Sequence, residues 1–276
     1  DDSGGSDDSG GSDDSGGSGN PGTNEPPDNG GSAITHRVIV KINGEVTWVD
    51  ASYEMYGELS TTRIFPTAGQ LSEALTAKPD RITIEAQNIG NAVQMVVPAA
   101  PLLHALDVRP DALLEWIVDG NGLRIPLSVL LDVPKEATVT FGIAAAAGST
   151  SDAGNGTIAG AGGKPLLPHP VDYSLETSEG SIDWGQTYAT LTAVLPELAD
   201  PNQVTAVRID GNGRIRFAPA GFTNDGSPLA TIRSPNVGAY TVIRSDHSFA
   251  DLNGHWAQKD IVLMANKLLV TGRTPD

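Results

Sequence analysis

Arg37-Val38-Ile39-Val40-Lys41-Ile42-Asn43-Gly44-Glu45-Val46-Thr47-Trp48-Val49 alternates polar and apolar residues, apart from Ile39 and Val49, on both sides of an Asn-Gly pair. Alternation with a period of two turns one face of an extended chain to a core and the other to solvent. Asn-Gly between two such runs predicts a tight hairpin, because both central turn residues must reach positive φ. The same kind of text continues outward. Strands are expected at 81–86, 92–97, 113–118 and 123–127, then at 171–176, 188–194, 204–209, 215–218, 229–233 and 239–243. The last six fall within 75 residues, a spacing that suits a sandwich or barrel rather than βαβ units. Leu71, Ala74 and Leu75 stand at helical spacing and predict one short helix over 68–78; 101–106 reads as a helical turn.

Two identical tetrapeptides, Asp119-Gly120-Asn121-Gly122 and Asp210-Gly211-Asn212-Gly213, separate apolar runs and read as hairpin turns. An EF-hand calcium loop needs an acidic ligand at its twelfth position, where this chain has Leu130 and Gly221. The recurrence hints at two β units of similar construction. Residues 144–163 are rich in Ala, Gly, Ser and Thr and read as a loop or connection. The expected fold is therefore mainly β, with two β-sandwich-like units, a short C-terminal α-helical segment and a disordered N-terminal linker. Its expected boundaries are a linker at 1–32, β-rich units at 33–143 and 171–245, a Gly/Ala-rich connection at 144–170 and the helical segment at 248–276.

The formal net charge is −17, and the chain has no cysteine. Residues 1–32 hold eight acidic side chains and no Lys or Arg, and open with three copies of Asp-Asp-Ser-Gly-Gly-Ser. With nothing apolar to bury, such a stretch is expected to be a disordered linker. It lacks the Gly-Gly-x-Gly-x-Asp spacing of calcium-loaded β-rolls. So acidic a chain repels phosphate backbones, which argues against nucleic acid as a partner. No apolar run reaches the ~18 residues of a membrane span, and no signal-peptide pattern is present. The absence of cysteine leaves no disulfide framework and no thiolate chemistry. A start at Asp1 inside a repeat reads as a fragment of a longer polypeptide.

Candidate chemistry is sparse. Histidines 36, 104, 169, 247 and 255 form no His-x-x-x-His or His-Glu-x-x-His pair, so no metal ligand set is assigned. Glu115 beside Trp116 and Asp183 beside Trp184 are the acid–aromatic neighbours that invite a glycosidase reading. Strand neighbours point to opposite faces, so a solvent-facing acid beside a core or rim tryptophan is the expectation for each. Trp48, Trp116 and Trp184 could line a sugar platform but are expected in the core, given the area each can bury. No Gly-x-Ser-x-Gly or complete phosphate loop occurs. No catalytic residue and no cofactor are assigned.

The C-terminal residues read Phe249-Ala250-Asp251-Leu252-Asn253-Gly254-His255-Trp256-Ala257, then Ile261 and Leu269-Val270-Thr271-Gly272. This pattern resembles the opening of an S-layer homology (SLH) module: an F-x-D, a short loop, H-W-A opening a helix, then an isoleucine, an apolar pair and a glycine. In such modules a glycine usually precedes the apolar pair, where this chain has Leu268. The module's second half, with its F-x-P loop and T-R-A-E helix, would lie beyond Asp276. Asn253 is the expected N-cap, and Ala257, Ile261, Met264 and Leu268 the expected apolar face. Trp256 is expected to pack in the module's core and Asp251 to hold the loop backbone.

The stretch before it is similar to regions that precede SLH modules in bacterial surface proteins. The residues carrying this are Pro170-Val171-Asp172-Tyr173, Leu195-Pro196, Asp200-Pro201, the hairpin over 207–219 and Val237-Gly238-Ala239-Tyr240-Thr241-Val242. The resemblance implies a non-catalytic fragment of an S-layer-type protein, extracellular and held non-covalently to secondary cell-wall polysaccharide, with self-assembly possible. The alternative it implies is the C-terminal anchoring region of a secreted polysaccharide-degrading enzyme whose catalytic domain lies upstream. The β units before the anchor favour the first.

Overall fold

The computed structural model describes residues 34–270, apart from 57–58, 79, 88, 147–148, 198–199 and 225. The linker expected at 1–32 lies outside the described residues, as does Gly272. The first half holds β1 (Ile34–Ile42), β2 (Glu45–Tyr56), β3 (Leu59–Phe65), α1 (Ala68–Ala77), β4 (Arg81–Ala86), β5 (Ala92–Pro98), α2 (Ala99–Val108), β6 (Leu113–Val118), β7 (Asn121–Pro126) and β8 (Thr138–Ala145). The second holds α3 (Ser149–Gly160), β9 (Gly163–Pro165), β10 (Val171–Thr177), β11 (Gly180–Ser181), β12 (Ala189–Val194), β13 (Val204–Ile209), β14 (Ile215–Ala218), β15 (Ala220–Thr223), β16 (Leu229–Ser234), β17 (Gly238–Ser245) and α4 (Gln258–Asn266). The protein is mainly β, as its alternation indicates.

The Asn43-Gly44 turn forms where expected, with φ of 51° and 87°, and joins β1 to β2 in an antiparallel hairpin that pairs Ile42 with Glu45. Asn43 also ties the turn inward: its Oδ1 accepts from Thr83 N at 2.9 Å and its Nδ2 donates to Ala74 O at 3.0 Å. The two Asp-Gly-Asn-Gly copies, by contrast, fold differently. At the first, Asp119 and Gly120 alone make the turn (φ 48° and 84°), and Asn121 already pairs with Val118. At the second, Asp210 Oδ1 accepts from Asn212 N and Arg214 N, and the left-handed residue is Gly213. Identical residues give two turn types because the flanking ladders set the loop length.

A repeat unmarked by those tetrapeptides is present. Leu71-x-x-Ala74-Leu75-x-x-Lys78-Pro79-Asp80 recurs as Leu102-x-x-Ala105-Leu106-x-x-Arg109-Pro110-Asp111. Each copy is a strand–helix–strand unit. β3 runs parallel to β5, pairing Thr61 with Ala92, and β4 runs parallel to β6, pairing Ile82 with Leu114. Both helices end alike, at Lys78 (φ −137°, ψ 85°) and Arg109 (φ −139°, ψ 95°), since the residue before a proline is driven out of the helical region. The Leu-Ala-Leu faces of α1 and α2 are buried, and the two helices pack on each other.

The strands form one hydrogen-bonded succession. From β1 it runs one way through β2, β3, β5, β8, β10, β17 and β13 to β14, and the other way through β4, β6, β7, β12 and β16 to β15. The succession folds back so that its wings face each other in sandwich fashion. Tyr173 of β10 donates across the fold to Thr192 O of β12 at 2.6 Å. One apolar cluster, from Val38 to Val242, fills the space and includes Trp116, Phe141 and Leu191.

The segments expected as two β units thus share ladders at β8–β10 and β7–β12. Glycines make those seams close: a Cβ on Gly142 would stand 2.2 Å from Ser174 Oγ, and one on Gly122 2.5 Å from Thr192 Oγ1. The stretch expected as a plain connection carries the 12-residue helix α3 and the strand β9. Three glycines make α3 a poor helix by propensity. It is held instead by Ile158, which packs with Val207 and Ile243.

Candidate functional site

The C-terminal segment leaves β17 at Ser245 and forms a 3₁₀ turn, Ala250–Leu252, before α4. Gly254 follows at φ 78° and interrupts the helical run. The long helix expected from His255 therefore begins only at Gln258. Asn253 does not cap it; Asn253 closes the 3₁₀ turn, and Ala257 is the N-cap without a side-chain bond. His255 acts locally instead, its Nδ1 accepting from Ala257 N at 3.2 Å.

The expected apolar face is rotated. Ala265 and Asn266 are the buried residues of α4, whereas Met264 is 48% exposed. The cause is polar: Asn266 Oδ1 accepts from His247 N at 2.8 Å, and its Nδ2 donates to Asn202 O at 3.3 Å. A side chain that satisfies two backbone groups has to face inward. Lys267 follows it, donating to Pro201 O and Val204 O, with its Nζ 5.8 Å from the centre of the Phe222 ring. Burial pulls the Lys267 amine below its usual value, and Asp200 partly restores it. Asn266 and Lys267 are the docking residues that motif reading missed; two polar residues directly before Leu268 are the signal that marked them.

The helix then closes in a Schellman arrangement, with Leu268 N on Ala265 O at 2.8 Å and Leu269 N on Met264 O at 2.9 Å. Leu268 sits at φ 57°, the left-handed conformation that glycine favours. Its side chain packs on Ile158, Val207 and Ile243.

Among the remaining motif residues, Phe249, Ala257 and Ile261 are half-buried, and Asp251, His255, Leu269 and Val270 are exposed. Trp256 is not in a core among the described residues: it is 88% exposed, and its ring contact is His255 at 5.6 Å. Among the described residues Asp251 accepts no hydrogen bond, and the 3₁₀ turn is closed instead by backbone bonds from Leu252 and Asn253.

Elsewhere, Glu115 departs from expectation. Beside the fully buried Trp116 it is itself buried, 7% exposed, between two arginines. Arg124 Nη2 lies 2.7 Å from Oε1, and Arg81 pairs with Oε2. Burial pushes its carboxyl up, but the hydrogen bonds from Arg81 and Arg124 outweigh this and hold it below the usual carboxylate range. Asp183 is exposed and accepts from Gly185 N at 2.9 Å. Trp184 packs on the core, whereas Trp48 is 51% exposed rather than buried. Among the described residues no group of three His, Asp or Glu is placed to hold a metal ion, and no helix is long and apolar enough to cross a membrane.

No protein-family model and no curated protein matches the sequence.

Proposed function

We propose that residues 249–270 open an SLH-type anchor, and that the β fold before them is the non-catalytic stalk of an extracellular bacterial surface protein held on secondary cell-wall polysaccharide. The observation that carries this reading is Leu268. It stands where SLH modules usually have glycine, and its backbone takes the left-handed form that glycine suits. Trp256, Met264 and Leu269 also present apolar surface in the same segment, which a following helix of the same module would cover.

The test is sedimentation of the parent polypeptide with purified cell walls. Retention on intact walls, lost once the secondary polymer is extracted, is the expected result. A folded parent protein that stays in the supernatant with intact walls overturns the anchor. Trp256→Ala gives a second reading of the same idea. In residues 1–276 it should shift stability by no more than ~0.5 kcal/mol, as an exposed position does. In the parent it should cost ~3–5 kcal/mol, the effect of a cavity where a buried ring was.

A further inference from the structure

Apart from the anchor segment, the β13–β14 hairpin and the end of β16 line an open cavity of about 600 Å³ whose walls carry Arg208, Arg216 and Arg233. The chain has 34 acidic residues against 17 basic ones, and five of the seven other described arginines are ion-paired: Arg37 with Asp50, Arg63 with Glu54, Arg81 and Arg124 with Glu115, and Arg244 with Glu197. Arg208, Arg216 and Arg233 make no ion pair with a described carboxylate. Arg208 and Arg216 are moreover directly opposite in the β13–β14 register, a placement of like charges that weakens a hairpin. Arg208 Nε is buried without a hydrogen-bond partner. Like charges placed opposite one another and a buried donor left unmet are features that a bound anion would complete.

The wall also limits what that anion is. Among the described residues Asp210 is the one carboxylate lining the cavity, and the loop occupies its Oδ1 through Asn212 N and Arg214 N. Three guanidinium groups against one carboxylate leave the wall cationic. Tyr240 braces the site from beneath, its hydroxyl bonded to Ser234 Oγ and donating to Asn236 O, both at 2.7 Å. Two aromatic rings complete the lining: Tyr188 is 50% exposed and Phe217 40% exposed. Guanidinium forks match carboxylates in geometry, and an exposed ring offers a face to the C–H surface of a pyranose. A bare inorganic anion would leave both rings uncovered, and a neutral sugar would leave the arginines uncompensated. We propose that this cavity binds a carboxylate-bearing saccharide, a uronic-acid oligosaccharide in chemical class, independently of the anchor.

Isothermal titration of the 276-residue chain with tetragalacturonate, maltotetraose and inorganic phosphate tests it. Saturable binding of tetragalacturonate that weakens with added salt is expected, with no binding of maltotetraose. Arg216→Gln combined with Arg233→Gln should weaken the uronate at least about tenfold, the scale of lost charge-assisted bonds. Both side chains are exposed, and the double variant should melt no lower than the unsubstituted 276-residue chain, so folding and binding are read separately. Tyr188→Ala should weaken the uronate and leave phosphate unaffected. Phosphate binding as tightly as the uronate, equal binding of maltotetraose, or no binding of tetragalacturonate each overturns the proposal. None of these results depends on retention by cell walls.

Discussion

Glu115 joins three strands by one side chain: it stands on β6, Arg81 on β4 and Arg124 on β7. Its carboxyl titrates below the usual range in the fold. The stabilisation this represents is complete above the unfolded value of about 4.3 and is lost as pH falls through the folded value. Glu115→Gln should cost ~2–3 kcal/mol at pH 7, somewhat under the usual cost of breaking a fully buried pair because both arginines reach solvent. It should also flatten the acid limb. Urea midpoints at pH 7 and pH 3 check this; parallel losses in the two proteins would refute the assignment. Alternation along β6 correctly put Trp116 in the core and so put Glu115 on the opposite face. That this face is covered depends on Arg81, 34 residues away in sequence, and no local pattern encodes it.

Elements differ in how openly their sequences declare them. β4, β6, β13 and β14 have the bounds their alternation predicts, and α1 is marked by its Leu-Ala-Leu spacing. The Leu-x-x-Ala-Leu-x-x-Lys/Arg-Pro-Asp repeat is legible too, whereas the two turn tetrapeptides mark no repeated unit. α3 was not legible, because its glycines argue against a helix and its support comes from β13 and β17. Gly154 shows the dependence: a Cβ there would meet Ile209 Cδ1 at 2.7 Å. The end of α4 reverses an ordinary helix rule. At Leu268 alanine keeps the left-handed backbone strain and loses the contacts to Ile158, Val207 and Ile243, whereas glycine loses the contacts but relieves the strain. Leu268→Gly should therefore be the more stable of the two variants by ~1 kcal/mol, where mid-helix glycine is usually worse than alanine by that amount. Thermal or urea unfolding of the pair decides, and an alanine variant equal to or better than glycine would remove the strain argument.

At the scale of the whole molecule, local signals named most of the strands but not their partners. The β7–β12 and β8–β10 pairings join residues far apart in sequence, and nothing in a strand's own alternation says which edge it will meet. Because the wings share ladders and one apolar cluster, residues 34–245 should unfold in a single transition. Calorimetric and van't Hoff enthalpies should agree; two resolved transitions would show that the seams are weak. The glycine-tight seams have a further consequence for the order of synthesis. When a growing chain has reached residue 146, β7 and β8 are complete but their later partners, β12 and β10, do not yet exist. Each then presents a row of unpaired backbone donors and acceptors, the kind of edge that recruits other chains. Isolated residues 34–146 should accordingly self-associate at concentrations where the 276-residue chain stays monomeric, which light scattering would register. The vulnerable period of this protein's life is thus set by the time needed to make its next fifty or so residues.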